Sequence, residues 1–346
     1  MQVKKIKTHK LEKCYSIAPL EYKEQKHILV AAEKINKCLM FNLNGDLEDV
    51  IWEEPGGTMS MVQVPKSDGI FLATHKFYSP NDSKEAKIMV VSPMDNGTWN
   101  IKTLVELPHV HRFDIISRDG QSYLIAATLC SGRDFKDDWA HKGKVYFAKL
   151  PDDLSSYNEN NQLQLTVIKD ELLKNHGYFR GHENGYDYSV VGTEDGIYKI
   201  IPPTKQNTNF EIIQLLDAPA SDMTLIDLDN DGNLEMIVFS PFHGSNLDLY
   251  KLQNGKYKKT WSFDKPFEFS HALWSGKINN QSVAILGHRE GKKQLIALTM
   301  EHNEIKVYVL DENVGVANTF VYKNGDKTYI VSANREIDEI AFYEVV

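Results

Sequence analysis

Cysteine is scarce in this 346-residue chain, which contains only Cys14, Cys38 and Cys130. An odd, scattered set of this kind does not build the disulfide framework that stabilises small secreted domains. The first residues, MQVKKIKTHK, lack the apolar segment of a signal peptide, and no apolar run reaches the length of a membrane span. We therefore expect a reduced, cytoplasmic protein.

Positive charge is also in deficit. Lys and Arg number 39 against 48 Asp and Glu, for a net charge of −9, and no basic run stands out. This balance argues against nucleic acid and against anionic membranes as partners. The sequence also has no Gly-x-Ser-x-Gly elbow, P-loop or dinucleotide-binding fingerprint. Hydrolase-triad, nucleotide and hydride-transfer chemistry therefore have no support in it.

Helical periodicity is nearly missing. No amphipathic pattern a dozen residues long is present, and the best helical candidate is a short turn at KDELLKN, residues 169–175. The chain does contain 42% hydrophobic residues, which is enough for a large core. These residues come in short runs separated by turn residues, a pattern typical of an all-β protein.

Seven stretches share one pattern: an apolar run, a turn rich in Asp, Asn, Gly or Lys, and a stronger apolar run. They are residues 15–32, 58–75, 111–128, 176–193, 223–240, 271–288 and 317–334. They recur about every 50 residues, a period within the range of four-stranded propeller blades. The sequence thus predicts an all-β, seven-bladed β-propeller of four-stranded antiparallel blades, formed as a single domain over residues 1–346.

The ends of the chain suggest how the ring closes. After the seventh hairpin only one strand pattern remains, at 339–346, whereas a blade needs four strands. An unassigned strand pattern at 3–11 precedes the first hairpin. Pairing of the N-terminal and C-terminal strands would complete the seventh blade and remove open sheet edges. We expect closure of this kind.

Five of the 12 histidines occupy equivalent places in the hairpins. His111, His176 and His271 stand at the first position, and His75 and His288 stand at the last. A strand, a turn and a returning strand bring the first and last positions side by side. Because the innermost hairpin of a blade lines the central channel, these five histidines should surround one mouth of that channel.

A transition-metal site follows from this arrangement. Imidazole is the commonest protein ligand for zinc and its neighbours, and three histidines leave one coordination position open for water or substrate. We predict that His111, His176 and His271 bind Zn²⁺ or a similar divalent metal. His75 and His288 are then further ligands or acid–base groups. The alternative is a metal-free channel in which the histidines bind a polar ligand directly.

Charged and aromatic residues cluster at the same end of the hairpins. The candidate substrate-binding residues are Lys76, Arg133, Arg180, His243, Arg289 and Arg335. Tyr178 is a further candidate catalytic residue. A rim of this composition suits an anionic or polyhydroxylated small molecule. For any one of these residues, a solvated loop position is the simpler alternative.

The fifth hairpin differs from the others in its acidic turn, within LIDLDNDGNLEMIVFS, residues 225–240. Asp227, Asp229 and Asp231 place three carboxylates at alternate positions, and Gly232 permits the tight turn. Oxygen ligands at this spacing favour one hard cation, calcium. The turn is not an EF-hand, because Val238 stands where such a loop needs a glutamate. We predict a structural Ca²⁺ site at the opposite end of the hairpin from the histidines.

The acidic turn resembles the calcium-loop hairpin of FG-GAP and VCBS-type repeats, which build β-propellers. With the segments PHVHRFD (108–114) and ILGHREG (285–291) and its channel histidines, the chain also resembles the propeller domain of aldos-2-ulose dehydratase. That enzyme carries zinc in its propeller cleft and eliminates water from a keto-sugar. The resemblance implies zinc on His111, His176 and His271, and a small carbohydrate-like substrate.

Two hypotheses for the function follow. In the first, the chain is a metal-dependent lyase or dehydratase that acts by β-elimination on a keto-sugar or glycoside. The metal polarises a carbonyl, and His75, His288 or Tyr178 takes the proton. In the second, the propeller is a non-enzymatic scaffold that binds a protein or glycan partner. The histidines discriminate between the two, because a scaffold has no need of them.

Overall fold

The computed structural model describes residues 1–35 and 37–346. Its strands form seven four-stranded sheets. Six sheets consist of four consecutive strands, and the seventh takes strands from both ends of the chain. Neighbouring strands run antiparallel, as in β2–β3, β10–β11 and β22–β23, whose bounds are given below. The seven-bladed β-propeller predicted from the sequence is confirmed.

Blades 1 to 3 follow the first strand, β1 (Val3–Lys10), along the chain. Their strands, from the channel outward, are β2 (Cys14–Tyr22), β3 (Gln25–Ala32), β4 (Cys38–Asn42) and β5 (Leu47–Trp52) in blade 1; β6 (Met61–Gln63), β7 (Phe71–His75), β8 (Lys87–Pro93) and β9 (Trp99–Glu106) in blade 2; and β10 (Val110–Arg118), β11 (Gln121–Thr128), β12 (Gly143–Lys149) and β13 (Thr166–Leu172) in blade 3.

Blades 4 to 6 repeat this order. Their strands are β14 (Gly177–Glu183), β15 (Tyr186–Thr193), β16 (Gly196–Ile201) and β17 (Glu211–Leu216) in blade 4; β18 (Asp222–Ile226), β19 (Glu235–Ser240), β20 (Asn246–Gln253) and β21 (Lys256–Ser262) in blade 5; and β22 (Ser270–Ile278), β23 (Gln281–His288), β24 (Leu295–Glu301) and β25 (Glu304–Asp311) in blade 6.

Blade 7 joins the two ends of the chain. It comprises β26 (Asn318–Asn324), β27 (Lys327–Asn334), β28 (Glu339–Val345) and, as its outer strand, β1. β1 pairs antiparallel with β28, from Val3 opposite Val345 to Lys10 opposite Glu339. The predicted closure by N-terminal and C-terminal strands is confirmed.

Apolar side chains hold neighbouring blades together. The buried hydrophobic residues fall into seven clusters, and six of them each span two adjacent blades. The largest joins blades 2 and 3 and also includes Tyr15 of blade 1 and Ala317, next to blade 7. Between blades 7 and 1, for instance, Val331 and Phe342 pack with Ile28 and Phe41. Burial of one such side chain contributes roughly 1.5–3 kcal/mol. The interfaces between blades therefore stabilise the ring, and its centre can remain a channel lined with polar groups.

One local prediction is wrong. Residues 169–175 do not form a helical turn, because most of them belong to β13, the outer strand of blade 3, which pairs with β12. The only helix within residues 1–35 and 37–346 is a 3₁₀ turn at Arg335–Ile337. In that part of the chain no helix is long and apolar enough to cross a membrane.

Candidate functional site at the channel mouth

Four histidines meet beside the starts of the inner strands. His111 lies in β10, His176 immediately precedes β14, and His271 lies in β22, whereas His243 comes from the turn after β19. The ring centroid of His176 is 4.4 Å from that of His111, 5.0 Å from that of His243 and 5.6 Å from that of His271. The structure thus brings the three predicted metal ligands together and adds His243 to them.

Three of the four are close enough to share one ion. His176, His243 and His271 each offer a ring nitrogen, and these atoms all lie within 4.8 Å of one another. His111 is outside this set. His176 Nδ1 donates to the Ser221 carbonyl at 2.9 Å, and His271 Nδ1 has the same kind of contact with a carbonyl at 2.8 Å. Because a carbonyl can only accept, Nδ1 carries the proton and Nε2 carries the lone pair.

The Nε2 atom of His176 is buried and has no hydrogen-bond partner in the described part of the chain, and the same holds for His111 Nδ1. An unsatisfied buried polar atom costs about 1–3 kcal/mol. A bound metal ion or ligand would remove that cost. His271 Nε2 differs, because it accepts a hydrogen bond from the buried hydroxyl of Tyr15 at 3.0 Å. A metal ion bound to His271 Nε2 would replace this hydrogen bond.

Burial keeps the imidazoles neutral. It lowers the pKa of His176 to about 3, and the nearby Arg112 adds to the effect. Burial is also the largest cause of the pKa values of His111, His243 and His271 lying well below 6.5. A histidine binds a metal through its neutral form. The cluster is therefore in its metal-binding protonation state at neutral pH, and its donor set fits zinc.

A polar cavity adjoins the histidines in the channel. Its volume is about 160 Å³, and all seven blades line it. The polar lining includes Ser60, Arg112, Tyr178, Asp222, His271 and Asn318. The Tyr178 hydroxyl is 2.5 Å from Ser189 Oγ. Sequence reasoning missed Arg112 and Asp222, although Arg112 follows His111 and Asp222 directly precedes the fifth hairpin. Inspection of the neighbours of the aligned positions would have found both.

The two predicted catalytic histidines, His75 and His288, lie apart from this cluster. His75 ends β7 and His288 ends β23, so both are on the second strand of their blades rather than on the channel strand. The His75 ring packs 4.7 Å from Trp52, and the His288 ring packs 4.3 Å from Phe267. Burial lowers the pKa of His75 to about 3. The structure does not bring these two side chains to the imidazole cluster.

Four of the five predicted substrate-binding cations are already paired with carboxylates. The pairs are Lys76–Glu85, Arg180–Asp187, Arg289–Glu336 and Arg335–Glu33. Arg335 also contacts Glu336 at 2.8 Å, so Arg289 and Arg335 belong to one network. Arg133 instead donates to Asn81 and lies 4.0 Å above the Trp139 ring. An anion at this rim would have to compete with these carboxylates.

The acidic turn offers a second possible cation site. Oxygen atoms of Asp227, Asp229 and Glu235 lie within 4.8 Å of one another, and Asp227 Oδ1 is buried without a partner. The third predicted ligand, Asp231, is outside this group and accepts hydrogen bonds within the turn. Lys251 contacts Asp229 and lies 3.8 Å from Glu235. A lysine therefore already supplies positive charge to these carboxylates.

Comparison with known proteins supports the fold alone. No protein-family model matches the chain, and no curated protein matches it. Among solved structures, it is similar to a chain in the crystal structure of BBS1N in complex with ARL6DN, soaked with mercury. The TM-score is 0.59 at 11% identity, over 99% of this chain and 97% of that one. The chain is thus a seven-bladed β-propeller, and its resemblance to FG-GAP and VCBS repeats and to aldos-2-ulose dehydratase stays a prediction.

Proposed function

We propose that this propeller binds a divalent transition metal ion at its channel mouth through His176, His243 and His271, next to a small hydroxylated ligand in the channel. The observation that carries the proposal is the buried, unpartnered Nε2 of His176, close to ring nitrogens of the other two histidines. Three neutral imidazoles suit zinc and leave a coordination position open for the ligand.

A carbon–oxygen lyase is the finer form of the proposal. An ion at this site would polarise a carbonyl and stabilise the negative charge that develops when the neighbouring carbon loses a proton. Elimination from a keto-sugar or glycoside also needs a group that protonates the leaving oxygen. Tyr178 lines the cavity, and burial raises its pKa well above 10, so its phenol stays protonated at neutral pH and would donate to the leaving oxygen rather than take up a proton.

A structural calcium ion at the acidic turn is a separate part of the proposal. Asp227, Asp229 and Glu235 would supply its protein ligands, in place of the Asp227, Asp229 and Asp231 set expected from the sequence. Carboxylate oxygens are the ligands that calcium prefers. The buried, unpartnered Oδ1 of Asp227 supports this assignment.

A zinc titration tests the main proposal. Protein purified without a histidine tag is stripped with a chelator, dialysed and titrated with Zn²⁺ by calorimetry, with elemental analysis of the product. We expect one zinc ion per chain at the channel mouth. A protein that takes up no zinc, or takes it up equally well after His243→Asn, would contradict the assignment. Asparagine is the replacement because His243 has a φ of 52°, which asparagine tolerates.

A protein-binding scaffold is the second candidate function. It is favoured by the similarity in fold to BBS1N, which was crystallised in complex with ARL6DN. An exposed aromatic residue, Phe135, lies in the loop between β11 and β12 and is 69% exposed, which would suit a partner surface. Failure of the wild-type protein to bind zinc would favour this candidate.

A further inference from the structure

The cavity beside the histidines is small, and all seven blades surround it. Its volume of about 160 Å³ lies below the roughly 300 Å³ at which pockets for drug-sized ligands begin. The part of a ligand that lies inside it is no larger than about one sugar ring or a short hydroxy acid. His271 lines the same cavity, so such a ligand would lie next to the imidazole cluster.

Arg112 places a positive charge in this cavity. Its Nη1 donates to the Met59 carbonyl at 2.9 Å, and its guanidinium lies 6.0 Å from the centre of the Tyr15 ring. In contrast to the four paired cations of the rim, Arg112 has no ion pair with a carboxylate among the described residues. A guanidinium uses several N–H groups in a planar fork, and carboxylates match that geometry.

Asp222 places a negative charge in the same cavity and is only 7% exposed. Its Oδ1 accepts hydrogen bonds from the backbone N–H groups of Met223 at 2.9 Å and Tyr178 at 3.3 Å. Both bonds use Oδ1, which leaves Oδ2 available to a donor in the cavity. Burial raises the pKa of Asp222 to about 6, although Arg112 opposes the change. The carboxylate is therefore largely ionised at neutral pH.

We infer that the cavity binds a small hydroxylated carboxylate, whose carboxylate accepts from Arg112 and whose hydroxyl donates to Asp222. A buried charge is costly unless it is paired and hydrogen-bonded, and this ligand would satisfy both charges at once. A neutral sugar would leave Arg112 without an anion, and a dianionic phosphate would be repelled by Asp222. The inference rests on the proposed small ligand in the channel, but not on the metal.

The test uses D-glucuronate as the probe, because it carries a carboxylate and hydroxyls on a single ring. D-glucose lacks the carboxylate, and acetate lacks the hydroxyls. Calorimetry at pH 7.5 is run on the full chain, both stripped of zinc and loaded with zinc. We expect glucuronate to bind at least about tenfold more tightly than either control, because each control lacks one of the two charge-assisted contacts. Equal binding of glucuronate and glucose overturns the inference.

Substitutions of Arg112 and Asp222, with a control at Arg118, locate the binding site. Arg112→Gln should reduce glucuronate affinity to the level of glucose, and Asp222→Asn should weaken it by a smaller factor. The matched control for the first is Arg118→Gln, because Arg118 lies in the same strand, donates to the Pro202 carbonyl and stacks 4.1 Å from the Tyr186 ring. Circular dichroism checks the fold of each variant, and Arg112→Lys, which keeps the charge without the fork, should give intermediate affinity.

The outcomes separate this inference from the proposed metal site. If the protein binds glucuronate through Arg112 but takes up no zinc, the inference about the cavity is supported and the proposed metal site is contradicted. If it takes up zinc but binds glucuronate no better than glucose, the metal site is supported and the inference about the cavity is overturned. Undiminished glucuronate affinity in Arg112→Gln also overturns the inference, because the carboxylate would then be bound elsewhere.

Discussion

The two ends of β18 carry acidic residues that stand in opposite electrostatic situations. At the channel end, Asp222 is buried, lines the cavity that His271 also lines and forms no ion pair within the described residues. At the other end, Asp227 begins the acidic turn, where Lys251 compensates the neighbouring carboxylates. In the turn, Lys251 already supplies positive charge and Asp227 Oδ1 is a buried atom without a partner, whereas the channel combines unpartnered imidazole nitrogens with an unpaired carboxylate. Unsatisfied buried groups of this kind are the stronger indication of a ligand site.

The largest effect should come from the imidazole cluster. His176→Ala leaves two ligands, and we expect zinc affinity to fall by more than about 100-fold, beyond the 10–100-fold typical of losing a partner that only orients a ligand. The fold should survive, because the blades are held by apolar interfaces. The measurement is a zinc titration beside circular dichroism. His302→Asn is the control, since His302 is exposed and lies in a turn with a φ of 53°. Unchanged affinity in His176→Ala would remove the metal site from the mouth.

The next largest effect should come from Asp222. Its pKa is raised from 3.8 to about 6 in the folded protein, so the folded state holds its proton more tightly than the unfolded state does. Its contribution to stability therefore falls as pH rises from about 4 to 6. Asp222→Asn mimics the protonated form and should stabilise the protein at pH 7.5 by up to about 3 kcal/mol, with little change at pH 4. Denaturant unfolding at both pH values is the check, and a destabilised variant at pH 7.5 would refute the cost assigned to this carboxylate.

The acidic turn should respond differently, through its lysine. Lys251→Met leaves Asp229 and Glu235 without their counter-ion, which should cost roughly 1–3 kcal/mol when calcium is absent. Calcium should restore the loss, because a divalent ion can replace the ammonium group. Thermal melting with calcium and with a chelator measures both effects.

The matched control for this change is Lys259→Met. Lys259 pairs with Asp248 at 3.0 Å, on the neighbouring strands of the same blade and outside the acidic group. Its melting should not depend on calcium. If Lys251→Met melts at one temperature with calcium and with chelator, the turn is a lysine-stabilised loop and not a calcium site.

The smallest effect should be that of pH on zinc binding. The pKa of His176 is lowered to about 3, and those of His243 and His271 are well below 6.5. Protons therefore compete weakly, and affinity should change less than about threefold between pH 7.5 and 5.5. Three histidines with ordinary pKa values would lose roughly 10³-fold over that range. A loss of that size would show that the cluster is hydrated rather than buried.

The repeat made most of the fold predictable. Each blade needs an inner hairpin, which in sequence is an apolar run, a turn and a second apolar run. Seven occurrences of this pattern therefore implied seven blades. Residues 169–175 misled because Lys, Glu and Leu favour helices, whereas pairing with β12 decides their conformation. Propensity is a weak guide on an outer strand, where half of the side chains face solvent.

The site was only partly predictable, for reasons of geometry. First positions of the hairpins lie on the channel strand or directly before it, so His111, His176 and His271 converge. Last positions lie one strand further out, so His75 and His288 do not. Arg335 was predicted to bind substrate, but it forms an ion pair with Glu33, which is distant in sequence and could not be identified as its partner there. The unpaired state of Asp222 likewise depends on what the other blades place around it.

The pairing of β1 with β28 means that the ring can close only late in folding. β28 is synthesised after every other strand of the ring, and it separates β27 from β1 in the last sheet. The cavity takes lining residues from all seven blades, and the last of them, Asn318, belongs to the blade that β28 and β1 complete. Contacts that span almost the whole chain form slowly, because they close the longest loops. Ligand binding and ring closure are therefore thermodynamically linked. A ligand that binds only in the complete channel also stabilises the pairing of β1 with β28.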